Sequence, residues 1–497
     1  MILTARRRGA LGIAAALAFG AAHVGSPDTF FEGAAGPYPV RVTVRSPVVV
    51  PGLADIVVRI TAAPERVHAV TVLPLRGGTP TAALPPADTA VRVTGSADLY
   101  TAQLWLMEGG SYSVQVSVAG DAGAGVALVP VVAVASGRRG FTTPLALALS
   151  ALCLLLVVGA LTIVGAAARE AVLPPGEEPD AGRRRRSWIA RAVAVAVLGL
   201  ALWGGKLWWD AEDGLFQRRL FRPPSVTTTA DGGTLTFAIS DSAWLQRRWT
   251  PLVPDHGKLI HLFLIGQRHG GFAHLHPVAR DSSTFDSALP PLPADDYAVF
   301  ADVVHESGFT QTLTDTVSLG DAPTARWARS DADDGYSTQP ADGGGQAVTL
   351  EDGSRMTWAG PSALVANQET DLAFTVADPA GAAARLEPYL NMAGHAVIAR
   401  DDGRVFIHLH PAGTVAMAAQ LIFQLREPGD TVRGRLGQRV TEYQRSTPHD
   451  QHDAVSRVSF PYAFPSAGTY NVWVQVKRAG RILTGRFLVH VTEQAEA

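Results

Sequence analysis

Cysteine is almost missing from this chain. The single one, Cys153, lies inside an apolar run, so neither an intrachain disulfide nor a cysteine-built zinc site can form. Any metal site must therefore use His, Met, Asp or Glu. No long basic face is present and the formal net charge is −3, so nucleic acid is not an expected partner. The signatures GxSxG, Walker A and HExxH do not occur, and no catalytic constellation replaces them, so an enzyme is not expected. Charged residues make up only 18% against 47% hydrophobic, a balance that leans toward a membrane component.

The apolar residues are concentrated. The opening "MILTARRRGALGIAAALAFGAAHVGS" places Arg6, Arg7 and Arg8 before a short apolar stretch and then small residues, the pattern of a signal peptide over residues 1–22. Residues 144–168 carry no charge and are long enough to span the ~30 Å of bilayer hydrocarbon. Residues 189–209 form a second expected span, with Trp188, Trp203, Trp208 and Trp209 suited to the membrane interface. Between them, residues 169–187 are expected to form a cytoplasmic loop, because Arg183 to Arg186 mark the inner side by the positive-inside rule. The location implied is the plasma (inner) membrane, with the large domains extracytoplasmic. Neither span carries an ionisable residue at its centre, which makes a poor permeation path.

Outside the spans, the dominant pattern is alternation of apolar and polar residues bounded by Gly and Pro, the sign of half-buried strands. A mainly β fold is expected, with three immunoglobulin-like β-sandwich modules over residues 37–136, 222–320 and 346–492. A shared ending supports the repetition. "GGSYSVQVSV" (Gly109 to Val118), "ADDYAVFADV" (Ala294 to Val303) and "AGTYNVWVQV" (Ala467 to Val476) each run from a turn through Tyr into alternating Val or aromatic residues. Residues 321–345 are polar and Gly-rich and read as a linker. The third module carries an insertion at 412–457, in which "TVAMAAQLIFQLR" suits a short helix.

The second and third modules also share a histidine pattern. His261 precedes His274 by 13 residues and His395 precedes His408 by 13, with His276 and His410 two further on, giving H-x12-H-x-H-P twice. In the third module Asp402-Gly403 is a strong two-residue hairpin turn, since type I′ turns need positive φ at both positions. That register sets His395 opposite His410 and Val397 opposite His408, so His395, His408 and His410 share one sheet face. In the second module the same register needs a turn centred on Arg268-His269, a poorer turn sequence. The expectation is therefore two metal sites, His261/His274/His276 and His395/His408/His410, each local to one hairpin and facing outward. Met392, three residues before His395, and His256, at a comparable approach in the second module, are candidate further ligands. Imidazole suits copper and zinc, and copper is favoured for an outward-facing site of this kind, with zinc as the second choice.

The paired "HLFLI…FAHLHP" and "GHAVIARDDG…FIHLHP" hairpins resemble YtkA-like and FixH-like extracytoplasmic β-sandwich domains of bacterial membrane proteins. The resemblance covers mainly residues 225–320 and 345–492, and it implies a β-sandwich fold and an association with copper or metal handling. The leading functional expectation is a membrane-anchored extracytoplasmic metal-binding protein for copper storage, delivery or resistance. Its partners would be a membrane, a transition-metal ion and another membrane protein. The alternative is a set of Ig-like modules that dock a membrane or extracellular partner without metal. A bicupin enzyme is disfavoured, because the residues after each "HLHP" lack the glutamate that such a barrel would place there.

Overall fold

The computed structural model describes residues 23–24, 28–76, 85–137, 141–174, 176–320, 327–339, 345–427, 430, 433–446 and 456–494. The expected signal peptide, 1–22, lies outside the described residues, as do His449 and His452 in the insertion. The chain divides into two compact units, Val134–Arg222 and the rest.

The smaller unit is a pair of helices, Thr143–Glu170 and Ala181–Arg219, both long and apolar enough to cross a membrane. The second begins earlier than the expected 189. Asp180 accepts a hydrogen bond from the Arg183 amide (2.7 Å), a side-chain cap that starts the helix there. Arg183 to Arg186 consequently ride on the first helical turns rather than in a loop. The two helices approach closely at Gly165, whose carbonyl accepts from the Ser187 hydroxyl (2.7 Å) and where a methyl group would overlap the Arg191 guanidinium.

The larger unit is mainly β and holds the three modules. The first pairs a five-stranded sheet (Asp28–Ala35, Tyr38–Arg45, Gly52–Ile60, Leu99–Leu106, Val91–Arg92) with a four-stranded one (Gly123–Ala133, Gly110–Gly120, Val67–Arg76, Asp88–Thr89). Val42, Val58, Val72 and Val116 are among the fully buried residues between them, while their polar neighbours face out, as the alternation required. The second module is a four-stranded sheet over a five-stranded one, and the third a four-stranded sheet over a six-stranded one. The stretch read as a linker is partly folded. Gly335–Ser337 adds an edge strand to Phe272–Leu275, so this part of the expected linker belongs to the second module's sheet. In the insertion, Met417–Leu425 is helical as expected and a second helix, Arg435–Ser446, follows.

The recurrent tyrosine has a specific bond behind it. Tyr112, Tyr297 and Tyr470 each donate the phenolic hydrogen to the carbonyl four residues upstream, Glu108 (3.0 Å), Pro293 (2.9 Å) and Ser466 (2.8 Å). This is the tyrosine corner of immunoglobulin-like sandwiches, which pins the turn entering a central strand. Tyr297→Phe removes one such bond from a fully buried ring and is expected to cost about 1 kcal/mol. Thermal unfolding followed by circular dichroism should show a midpoint roughly 2–4 °C lower. An unchanged midpoint would mean the corner contributes ring packing alone.

Candidate metal centre

The strand His261–Gly266 pairs with Phe272–Leu275, with Phe263 opposite His274. His395–Arg400 pairs with Val405–Leu409, with Val397 opposite His408, the expected register; the turn itself is not type I′, because only Gly403 has positive φ and its amide donates to the Arg400 carbonyl (3.0 Å). The second module keeps the same register through its poorer turn. Asp295 explains how: its carboxylate accepts the amides of Arg268 and His269 (both 2.8 Å) and so holds that turn from the side.

Both hairpins are buried on both faces. Leu262 and Leu264 point into the core of the second module, and Ala396 and Ile398 into that of the third. The opposite faces pack against each other. Phe263, Phe272, Phe300, Val397, Ala399, Phe406 and Trp473 form a separate apolar cluster between the modules, with Phe300 stacked on Phe406 (4.0 Å between ring centres) and Phe272 on Trp473 (5.0 Å). The histidines continue this seam. They do not face outward, as the sequence led one to expect; His261, His274, His276, His395, His408 and His410 are all buried, and so is His256.

The arrangement has a local two-fold character. The ring separations His261–His276 and His395–His410 are both 5.1 Å, His274–His276 and His408–His410 both 4.5 Å, and His261–His274 and His395–His408 both 5.4 Å. Across the seam the contacts are reciprocal. His274 Nδ1 lies 2.8 Å from Gln475 Oε1 of the third module, and His408 Nδ1 lies 3.2 Å from Asp302 Oδ2 of the second. Asp302 and Gln475 hold equivalent places, opposite His261 and His395 in register.

This meeting regroups the ligands. The histidines do not segregate into two triads local to one hairpin each. Instead His261, His274 and His408 bring one ligand atom each to within 4.8 Å of the others, and His256, His395 and His410 do the same. Each set draws on both modules. His276 belongs to neither set; Asp334 accepts its backbone amide (2.8 Å) and lies 3.0 Å from its ring Nδ1, while its Nε2 is buried without a partner. A third group, His276 with Asp331 and Asp334, is better explained as an ion-pair network, because Lys258 already pairs with Asp331 (2.5 Å).

His256 enters from a tight turn. Asp255 and Lys258 exchange backbone hydrogen bonds (2.9 Å each), and His256 and Gly257 between them have positive φ (51° and 82°), as a type I′ turn demands. The equivalent turn in the third module is Tyr389 to Met392, with Leu390 and Asn391 at positive φ. Leu390 thus stands where the second module has His256. Met392 is equivalent to Lys258, not to His256; its backbone closes the turn, and its buried side chain is two residues beyond the position that matches His256.

The outer nitrogens of the first set are anchored. His261 Nε2 donates to the Asp255 carbonyl (3.2 Å), His274 Nδ1 to Gln475 and His408 Nδ1 to Asp302. Metal-bound histidines are held in this way, the second nitrogen bonded to a carbonyl or carboxylate so that the first presents its lone pair. With those tautomers, His261 Nδ1 and His274 Nε2 are two acceptors facing each other at 3.1 Å with no hydrogen between them. Two nitrogens at about 2.0–2.1 Å from a shared ion, roughly 100° apart, would have that separation. In the second set, His410 Nδ1 bonds to the Val415 carbonyl (3.2 Å), leaving Nε2 without a hydrogen bond, and His256 and His395 have no hydrogen-bond partner on either nitrogen. Unsatisfied buried polar atoms each cost about 1–3 kcal/mol, and five of them are concentrated in this one place.

Burial pushes every imidazole in the two sets down: His256 to about 3, His410 to about 4, and His261, His274, His395 and His408 well below their usual value, with the other imidazoles adding to the effect. Burial also pushes the Asp302 carboxyl up to about 7 and raises Asp255. The imidazoles are therefore neutral, the form that binds metal. His305, also buried, is a packing residue. It is stacked on Trp249 and bonded to the Thr250 carbonyl and Gln311. His68 is exposed beside Asp121.

Because the folded-state imidazole values lie below the unfolded one, these groups contribute stability that is present above about pH 6.5 and is lost as pH falls toward about 4, where His410 titrates. Metal-free protein should accordingly lose the native contact between its second and third modules on acidification through that window, seen as Trp473 fluorescence changing below pH 6. Unchanged fluorescence to pH 4 would show that the imidazoles are not held neutral by the seam.

The family described as a domain of unknown function (DUF8832) matches residues 347–493, the third module. No curated protein matches. Among solved structures, dimeric latent PorU from Porphyromonas gingivalis is 8% identical, covering 94% of this chain and 34% of that one, with a TM-score of 0.14. Salmonella alpha-2-macroglobulin reacted with methylamine is 10% identical over 94% of this chain and 24% of that one (TM-score 0.19). A putative membrane anchored protein from Corynebacterium diphtheriae is 9% identical over 94% of each chain (TM-score 0.12). The chain thus spans about a third or less of the first two, and overlaps at this level carry no functional argument.

Proposed function

We propose that this is a membrane-anchored extracytoplasmic protein that binds transition-metal ions, copper above all, in composite sites between its second and third modules. The observation that carries this reading is the pair of buried three-histidine sets, the first with facing lone pairs and anchored outer nitrogens and the second with five imidazole nitrogens that have no hydrogen-bond partner. Among imidazole-binding metals, zinc in a closed site takes four ligands, whereas each set offers three. Copper is the better fit, and storage or delivery to another membrane protein is the role that suits a buried, fully protein-ligated ion. The alternative of a metal-free docking module gives no account of unpartnered imidazole nitrogens buried away from any surface.

The full chain, purified in detergent without a histidine tag and loaded separately with copper and zinc, is expected to retain up to two copper ions after dialysis. Because His408 serves one set and His410 the other, the double substitution His408→Ala with His410→Ala should empty both sites. His410→Ala alone should remove one ion and spare the His261/His274/His408 set. Elemental analysis reads all three. Wild-type protein that retains neither metal would leave the histidines a structural role only.

The proposed orientation puts the modules outside and the turn between the helices inside. It is supported by the arginines at the start of the second helix and by the membership of residues before 133 and after 223 in one compact unit. Reporter fusions after Ser136 and after Arg222 should both behave as exported, and a cytoplasmic signal from either would overturn the two-span arrangement.

A further inference from the structure

The two histidine sets are not separate pockets. His408 and His410 alternate along one strand, belong to different sets, and have ring centres only 4.5 Å apart. His395 of one set lies 5.4 Å from His408 of the other, and His256 lies 6.2 Å from His261. Two ions held by these sets would sit on the order of 7 Å apart, the two-residue repeat of a strand. All six ligand rings are buried.

The charge inventory around the pair is small. Imidazoles bring none. One carboxylate meets each set: Asp302 on His408 Nδ1 (3.2 Å), and Asp255, whose Oδ2 is 3.7 Å from His256 Nε2 and whose Oδ1 accepts the Ala418 amide. A further carboxylate, Asp334, is fully buried beside His276, which belongs to neither set, and is bonded by that ring and by the backbone amides of His276 and Asp331. Its neighbours in the same segment, Asp331 and Asp333, are matched by Lys258 and Lys477.

Resting on the metal-binding reading above, we propose that the centre selects by ionic charge: it fills with two Cu(I) ions but holds only one divalent ion tightly. Two monovalent ions are balanced by Asp255 and Asp302. Two divalent ions bring twice the charge to the same two contacting carboxylates, and their mutual repulsion is four times that of a monovalent pair at the same distance. Coordination acts in the same direction. Three imidazoles complete a Cu(I) ion, whereas Zn(II) lacks its fourth ligand in either set. Gln475 marks the place where the balance could be changed, since it occupies on His274 the position that Asp302 occupies on His408.

The test uses the full chain in detergent, untagged and anaerobic. Cu(I) is titrated against a competing colour-forming Cu(I) chelator, and Zn(II) against a fluorescent Zn(II) chelator. Two Cu(I) ions are expected with dissociation constants within about tenfold of each other, and a second Zn(II) bound at least about a hundredfold more weakly than the first. Gln475→Glu adds a carboxylate beside His274 and should narrow that Zn(II) gap at least tenfold. Two Zn(II) ions of equal affinity, a single Cu(I), or a gap unmoved by Gln475→Glu would overturn charge selection while leaving metal binding intact. Binding of neither ion would overturn metal binding itself.

Discussion

The seam between the second and third modules is the constraint from which the rest of the centre follows. Two sheets, each already covered on one face by its own sandwich partner, bury their remaining faces against each other. Aromatic stacking, Phe300 on Phe406 and Phe272 on Trp473, fills one part of the seam with apolar surface. That contact drags the neighbouring histidines out of water, because they share strands with the stacked rings. A buried neutral imidazole still needs a partner on each nitrogen, and the seam gives them to only some. What a water-exposed row of histidines would leave to solvent becomes, once enclosed, a set of unfilled lone pairs.

The near two-fold arrangement makes the departures from it informative. Ring separations repeat between the modules, and the hairpin registers and preceding turns match. Of the replacements that break the match, three touch the histidine sets: His256 against Leu390, Asp255 against Tyr389, and Asp302 against Gln475. His256 completes a set that the other half cannot form, and Asp302 places charge on one side only. Tyr389 bridges instead, donating to the Asp333 carbonyl (3.0 Å) with its oxygen 3.2 Å from His274 Nδ1. Duplication explains the framework of the centre, and these three positions explain why its halves differ.

Much of the fold could be read from the residues. Period-2 alternation outlined the modules, the recurrent tyrosine marked the same corner in each, and Asp402-Gly403 set a register that the paired strands follow. The candidate ligands were legible too, His256 included, but their grouping was not. Spacing within a strand speaks only of that strand's neighbours, so it suggested two local triads. A signal against local, outward-facing sites was present in "HLFLI" and "VFIHL", which lack alternation; continuous apolar runs belong to strands buried on both faces. Asp302, Gln475 and Asp334 were missed because each acts on a histidine far away in sequence, and nothing in their own surroundings distinguishes them.

The first module is joined to the third by exchange of core residues. Phe30, from the first module's opening strand, is buried in the third module's core beside Tyr462, and Val415, from the third, is buried in the first module's core. Between them, the Glu32 amide donates to the Ala412 carbonyl and the Thr414 amide to that of Phe30 (both 2.9 Å). The first module's interior is therefore completed by a segment nearly four hundred residues further along the chain. The two modules thus share one boundary: each interior closes only when the other's residue is in place, although both helices and the second module lie between them in the chain.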